Sequence, residues 1–265
     1  MPARKNWTRH ELLILLNVYH KMRFGQMHER NPAIITLAKR FERTPGSVAM
    51  KLCNLASLDP ALKLRGIKGL SGASRLDETM WTEFHGHLEE TVPASEEALR
   101  VLVKASEDAE VQIQPKKGIH LVKAPPSGPT DVMVNVKVRR GQEYFRSAVL
   151  NNFGGRCGVS QLGLQELLIA SHILPWGAHA SERLNVRNGL CLSRLHDAAF
   201  DRGLITFDEE LRLVLSKRLK AELPQSCIED NFVKHEWQPL SLPEDAVLPE
   251  PYFLAEHRKT VFASH

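Results

Sequence analysis

The sequence has few cysteines and no long apolar run. Its 4 cysteines stand far apart along 265 residues, and none forms a Cys-x-x-Cys pair. This spacing argues against a disulfide scaffold and fits a reducing compartment. No stretch approaches the ~18 apolar residues of a membrane span, and the opening MPARKNWTRHE lacks the apolar core of a signal peptide. We therefore expect a cytoplasmic protein with no membrane partner.

Acidic residues are scarce in the first third of the chain. Residues 1–90 contain 14 Lys and Arg against 9 Asp and Glu, whereas the net charge of the whole chain is +4. The surplus of five positive charges (14 minus 9) therefore lies in this third alone. A solvated surface would explain the surplus, and so would a polyanionic partner such as nucleic acid.

Residues 7–57 predict three short helices, because each is marked by a helix start signal. These signals are Thr8 with Glu11, Asn31 with Pro32, and Thr44 with Pro45. The first pair has the spacing of a capping box, and the other two place an N-cap residue before a proline at the first helical position. Two further helices are predicted from MWTEFHGHLEE and SEEALRVLVKAS.

The third predicted helix has an apolar face and a polar face. The apolar positions, expected to face inward, are Val48, Leu52 and Leu55, and the polar stripe beside them is Ser47, Lys51 and Asn54. We predict a helix-turn-helix-like unit whose third helix lies in a DNA groove; a helical bundle with a solvated face is the alternative. The candidate DNA-binding residues are Arg43, Ser47, Lys51, Asn54, Lys63, Arg65 and Lys68, the last three from the Gly-, Ser- and Lys-rich loop 58–75.

The chain is predicted to have an α+β fold in two domains. A small helical domain spans 1–106, a linker without a sustained period spans 107–130, and a second domain spans 131–265. The valines of DVMVNVKVRR alternate with a period of two, which predicts a strand over 131–140. GQEYFRSAVLNNFGG predicts a helix, and the proline-rich tail from Leu223 shows little regular pattern.

The centre of the second domain predicts the order strand, loop, strand, helix. An apolar strand ends at His172, a second short strand lies around 189–192, and a helix begins near Ser193. GLITFDEELRLVLS then predicts two strands about a turn. Asn188 enters the second strand and His196 lies on the helix.

Four segments in this order resemble the HNH nuclease family, over roughly residues 140–208. They are VRRGQEYFRSAVLNNFGGRCGVS, ASHILPW, RNGLCLSRLH and AAFDRGLITF. The resemblance implies a ββα-metal domain in which His172, Asn188 and His196 form one catalytic site. It implies hydrolysis of phosphodiester bonds in double-stranded DNA with a divalent metal ion, Mg²⁺ first, with Mn²⁺ or Ni²⁺ as alternatives. Its restriction-type members imply a defence role against phage DNA, with modified DNA as one substrate.

The resemblance also implies a role for each residue of the site. A neutral His172 can accept the proton of an attacking water, and His196 would be a metal ligand. Asn188 would hold the loop, orient the imidazole or touch the metal. Asp201 is a second candidate ligand, although it lies about 140° around an ideal helix from His196 and converges only if the helix ends first. A structural role for Asp201 is the alternative, and Asp197, about 100° from His196, ranks lower.

Three departures from the family pattern matter. Ser171 stands where many members carry a metal ligand, so we expect fewer protein ligands and more water. Cys157 and Cys191 stand at the first positions of two cysteine pairs that hold zinc in many relatives. Ser160 and Arg194 occupy the partner positions, so we predict no structural zinc.

Two alternatives to a DNA nuclease stay open. One is a catalytically inactive DNA-binding regulator that keeps the HNH fold, which the serine at position 171 favours. The other is a nuclease for RNA. A homodimer would allow both strands of a DNA site to be cut, but the sequence does not distinguish it from a monomer.

Overall fold

The computed structural model describes residues 5–67, 69–70, 72–106, 109–114, 117–123, 132–176 and 179–262. The chain divides into two compact units, Met1–Asn151 and Asn152–His265. Helices and short antiparallel strands in the described ranges confirm a mixed α and β fold. None of the helices there has the length and apolar character needed to cross a lipid bilayer.

The helices predicted in the first unit are present. They are α1 (Arg9–His20), α2 (Pro32–Phe41), α3 (Pro45–Ala56), α4 (Pro60–Leu64), α5 (Arg75–Gly86) and α6 (Leu88–Val103). The side chains of Thr8, Asn31 and Thr44 cap α1, α2 and α3 as expected, and α4 lies inside the segment predicted as a loop. Because α1 packs against α3, α5 and α6, the first three helices belong to a larger bundle. Their likeness to a helix-turn-helix unit stays a prediction.

The predicted inner face of α3 is confirmed, but its polar stripe is not a free surface. Val48, Leu52 and Leu55 are fully buried. Lys51 is also buried, and its Nζ binds both carboxylate oxygens of Asp77, at 3.0 and 2.7 Å. Removing one partner of such a buried pair costs about 3–5 kcal/mol. Lys51 therefore stabilises the packing of α3 against α5, and its predicted contact with DNA stays a prediction.

Arg43 is likewise committed to contacts inside the first unit. Its guanidinium binds both carboxylate oxygens of Glu11 at 3.0 Å and lies 3.8 Å from the centre of the Trp7 ring. Only 6% of the side chain is exposed. The bidentate ion pair engages the guanidinium inside the first unit, and the predicted contact of Arg43 with DNA stays a prediction.

The range predicted as a linker contains a β-hairpin. Strands β1 (Ala109–Gln114) and β2 (Gly118–Lys123) pair antiparallel, with Ala109 opposite Lys123. Gly118 turns the chain at φ +84°, where an added Cβ would lie 2.9 Å from Pro32 Cβ. The glycine is therefore needed for the turn and for the approach of the hairpin to α2.

The strand predicted over 131–140 is wrong, because this segment begins helix α7 (Val132–Asn152). The predicted helix GQEYFRSAVLNNFGG is confirmed as the second half of α7, with Tyr144, Phe145 and Val149 buried. Alternating valines favour a strand only where a neighbouring strand pairs with them, and tertiary packing overrides such propensity. Since α7 continues to Asn152, the division between the units falls later than the predicted start of the second domain at 131.

The second unit is built around short strands and helices. They are β3 (Leu168–His172), β4 (Gly189–Ser193), α8 (Arg194–Asp201), β5 (Ile205–Phe207), β6 (Leu213–Leu215), α9 (Lys217–Lys220), α10 (Ser226–Asn231) and α11 (Pro251–Thr260). These bounds confirm the predicted strands and the helix after Ser193. The tail is more regular than predicted, since α11 buries Phe253, Leu254 and His257.

A buried histidine pair makes the stability of the first unit depend on pH. The Nε2 atoms of His20 and His85 lie 3.0 Å apart, and Nδ1 of His85 donates to the Trp81 carbonyl at 2.7 Å. Burial lowers the pKa of both rings, although the hydrogen bond to Trp81 and the charge of Asp59 oppose this for His85. The unfolded chain then binds more protons than the folded one just below the ordinary histidine pKa of about 6.5.

We therefore expect the free energy of unfolding to fall as the pH drops below about 6.5. Thermal melts of the whole protein between about pH 7.5 and 5.5, followed by circular dichroism, measure this. His85→Gln keeps an amide able to hydrogen bond but removes one titrating ring, so its melting temperature should fall less steeply. An equal slope in the wild type and the variant would refute the assignment to this pair.

Candidate active site

An antiparallel hairpin followed directly by a helix forms the frame of the candidate site. In the pairing of β3 with β4, Leu168 lies opposite Ser193 and His172 opposite Gly189. Ser193 ends β4 and also caps α8, because its Oγ accepts the backbone amide of His196 at 3.3 Å. A capping serine at the last strand position thus allows the chain to pass from β4 into α8 without a linker.

Asn188 holds the loop between the two strands. It is 1% exposed, its Oδ1 accepts the Leu174 amide at 2.8 Å, and its Nδ2 donates to the Glu182 carbonyl at 3.1 Å. Its own carbonyl accepts the amide of Ile173 at 2.9 Å. Asn188 therefore fastens both ends of the loop, which is one of the roles predicted for it.

His172 lies half-buried at the end of β3, in a fixed protonation form. Its Nε2 lies 2.9 Å from the carbonyl oxygen of Arg183. Because a carbonyl oxygen only accepts, Nε2 carries the proton and Nδ1 is the basic nitrogen of the neutral ring. Burial lowers the pKa of His172, while the bond to Arg183 and the charge of Asp197 partly oppose the shift. The ring is therefore neutral at physiological pH.

His196 is buried in the second unit, and its predicted roles as a catalytic residue and metal ligand stay predictions. It is 1% exposed. Its Nε2 lies 2.8 Å from the Asn231 carbonyl oxygen, and its Nδ1 lies 2.7 Å from Ser193 Oγ and 3.7 Å from Cys157 Sγ. Residues three and four positions further along α8 are the buried Ala199 and Phe200, so His196 faces the core with them. Both ring nitrogens are occupied there.

Asp197 and Asp201 lie on the other face of α8. Spaced at i and i+4, they share one side of the helix, and α8 does not end before Asp201. The surroundings desolvate the Asp201 carboxyl group and raise its pKa, and the charge of Asp197 raises it further, against the opposing Arg202. Asp197 also raises the pKa of His172. Asp197 thus acts on both the Asp201 carboxyl group and the His172 imidazole.

The spacing of Asp197 and Asp201 is the signal that sequence reasoning missed. Asp197 ranked low because it diverges from His196 around the helix, but Asp197 and Asp201 share a face with each other. Asp201 was expected to lie beside His196 only if α8 ended before Asp201. Gly203, at φ +65°, instead ends α8 after Asp201.

The two cysteine segments are joined by hydrogen bonds around Cys157. Its Sγ accepts the backbone amides of Ser193 at 3.2 Å and of Ser160 at 3.5 Å. Burial by itself would raise the pKa of the thiol, but hydrogen bonds from His196 and Ser160 lower it to about 6. Gly158 further donates to the carbonyl of Cys191 at 2.8 Å. That this core has no structural zinc stays a prediction.

The remaining candidate ligands are few. Ser171 is 3% exposed, and its hydroxyl has no hydrogen-bond partner within the described residues. In the same part of the chain, no group of three or more His, Cys, Asp or Glu side chains is arranged to hold a metal ion.

A β-hairpin followed by a helix, with a neutral histidine at the strand end, is the frame of a ββα nuclease domain. Residues 157–208 match the family model described as HNH endonuclease. The match confirms that this part of the chain resembles HNH endonucleases, as the sequence indicated. No curated protein matches the chain.

Proposed function

We propose that the protein is a metal-dependent endonuclease that hydrolyses phosphodiester bonds of double-stranded DNA, with His172 as general base. The proposal is carried by the position of His172 at the end of β3, where its Nε2 lies 2.9 Å from the Arg183 carbonyl oxygen and Nδ1 is left as the basic nitrogen of the neutral ring. These features lie within the segment that matches the HNH endonuclease model.

The imidazole is suited to take a proton from water. Nδ1 carries the lone pair, because Nε2 donates to Arg183. A neutral ring with a pKa below its usual range is ready to accept a proton at neutral pH, and the Asp197 charge stabilises the imidazolium that forms. The water so deprotonated attacks the phosphorus atom, and a proton must reach the leaving 3′ oxygen.

Asp197 and Asp201 fit a hard divalent cation. Desolvation, and then the charge of Asp197, raise the pKa of Asp201, and a bound cation would favour the ionised form of both carboxylates. Mg²⁺ is often held by one or two carboxylates and otherwise by water and substrate phosphates, which suits a site with few protein ligands. Mn²⁺ or Ni²⁺ are alternatives. When bound, the cation would offset charge on the scissile phosphate and on the leaving oxygen.

We propose that the first unit binds DNA. Two of the candidates, Arg43 and Lys51, also form ion pairs within the first unit. The others are the half-buried Ser47, Asn54 and Arg65 and the exposed Lys63. Lys68 lies outside the described residues. A restriction role against phage DNA, the use of modified DNA and a homodimer that cuts both strands belong to the same proposal and depend on the family resemblance.

Cleavage of supercoiled plasmid tests the proposal. We expect nicked or linear product with Mg²⁺, Mn²⁺ or Ni²⁺ and none with EDTA, using plasmids with unmodified, methylated and hydroxymethylated cytosine. Binding without cutting under every metal would favour the inactive regulator. Stronger competition by tRNA than by duplex DNA, with the salt dependence of each measured, would favour an RNA nuclease.

A further inference from the structure

The loop between β3 and β4 contains a contact that joins Trp176 to Arg183, here called the loop clamp. Nε of Arg183 donates to the Trp176 carbonyl at 2.7 Å. The guanidinium carbon also lies 5.2 Å from the centre of the Trp176 ring. A planar, delocalised cation can make both contacts at once, whereas a lysine ammonium lacks the fixed geometry.

The loop clamp lies directly against the proposed general base. The Trp176 ring meets the His172 imidazole edge-on, with 5.2 Å between ring centres. The carbonyl of Arg183 is the acceptor for His172 Nε2. Arg183 thus acts on the imidazole through its main chain, while its side chain holds the indole that packs against the same ring.

We infer that Arg183 is a positioning residue for His172. Its guanidinium fixes the place of its own carbonyl and of the Trp176 indole, and together these keep the imidazole in the Nε2–H form with Nδ1 as the base. Two tautomers of a neutral imidazole are close in free energy, so the fixed acceptor decides between them. The inference rests on the proposed function only in taking His172 as the base.

Arg187 is a matched control on the same loop. Its Nη1 forms an ion pair with Glu250 at 2.5 Å, and its Nε donates to the Leu248 carbonyl at 3.4 Å. Arg187→Ala removes the same charge from the loop but leaves the loop clamp in place. A loss seen in Arg183→Ala and absent in Arg187→Ala is therefore not an effect of net charge.

We expect Arg183→Ala to lower kcat by about 10–100-fold, the range found when residues that orient a catalytic group are lost, with KM changed less than about threefold. Adding millimolar guanidinium should restore part of the Arg183→Ala rate and leave Arg187→Ala unchanged. An equal loss in both variants, or a loss confined to KM, would overturn the inference and indicate direct DNA contact.

A second measurement needs no catalysis. Imidazole ¹⁵N chemical shifts of the whole protein should show the Nε2–H tautomer of His172 in the wild type and in Arg187→Ala, and a tautomer mixture in Arg183→Ala. If the wild type cuts no DNA but this change appears, the nuclease proposal fails and the positioning inference stands. An unchanged tautomer in Arg183→Ala refutes the inference. Arg183→Lys, which keeps the charge, replaces Arg183→Ala if the latter does not fold, and the same shifts decide.

Discussion

Replacement of His172 by alanine is expected to lower the rate of DNA cleavage by about 10²–10⁴-fold, the usual contribution of general-base catalysis. The affinity for duplex DNA should change little, because the imidazole acts on water rather than on the duplex. The ring is half-buried rather than fully buried, so the variant should still fold. Single-turnover cleavage and fluorescence anisotropy of labelled duplex measure the two quantities.

His179→Ala is the control for this experiment, because His179 follows in the same loop and is half-buried like His172. It should cut at nearly the wild-type rate. In the wild type, kcat/KM should fall only below about pH 6.5, because burial lowers the pKa of His172 and the ring must lose its proton to act. Cleavage by His172→Ala at the wild-type rate would remove His172 from the mechanism.

The sequence alone was sufficient to predict the hairpin and the helix that frame the candidate site. The apolar run before His172, the capping position of Ser193 and the order of motifs each predict a local feature, and β3, β4 and α8 follow them closely. Holding the loop was one of three roles predicted for Asn188. Its side-chain amide makes two hydrogen bonds across the loop, as that role requires.

The face of α8 could not be read from the motif order alone. A helical histidine three residues after a capping serine suits a surface ligand as well as a core residue. The orientation of His196 is decided by the carbonyl of Asn231, which lies 35 residues further along the chain and accepts a hydrogen bond from the imidazole. Tertiary packing sets a contact of that kind, so a local sequence pattern does not predict it.

Two features of the first unit that the sequence did not indicate have related causes. Val111 and Ile113 alternate with polar residues and are buried in β1, but the prolines and glycines around them indicated a linker. Lys51 looked like a groove contact because its partner, Asp77, belongs to another helix. In both places the sequence shows the local preference, and the fold decides through a distant contact.

Replacing both Asp197 and Asp201 by asparagine is expected to weaken metal binding and to lower cleavage by about 10²–10⁴-fold, because a bound cation supplies several kcal/mol of charge stabilisation in the transition state. Asparagine preserves the shape of each side chain and removes only its charge. Titration with Mn²⁺ followed by electron paramagnetic resonance, alongside cleavage in Mg²⁺, measures both effects.

Without metal, Asp201→Asn should be more stable than the wild type. The pKa of Asp201 is raised in the folded protein by burial and by Asp197, so the folded state binds its proton more tightly than the unfolded state does. Stability is then lost as the pH rises through that window, and the ionised carboxylate destabilises the fold at neutral pH. Asp201→Asn should therefore raise the melting temperature while it lowers activity, which is the pattern of a site that trades stability for function.

His196→Gln separates this ligand assignment from the one the motif order suggests. His196 is buried between Ser193 and the Asn231 carbonyl, and losing such buried contacts costs about 1–3 kcal/mol. The variant should melt at a lower temperature, but the fraction that is folded should bind Mn²⁺ with the wild-type affinity. Loss of Mn²⁺ binding in folded His196→Gln, with affinity intact in the double asparagine variant, would return the metal to His196 and contradict the carboxylate site.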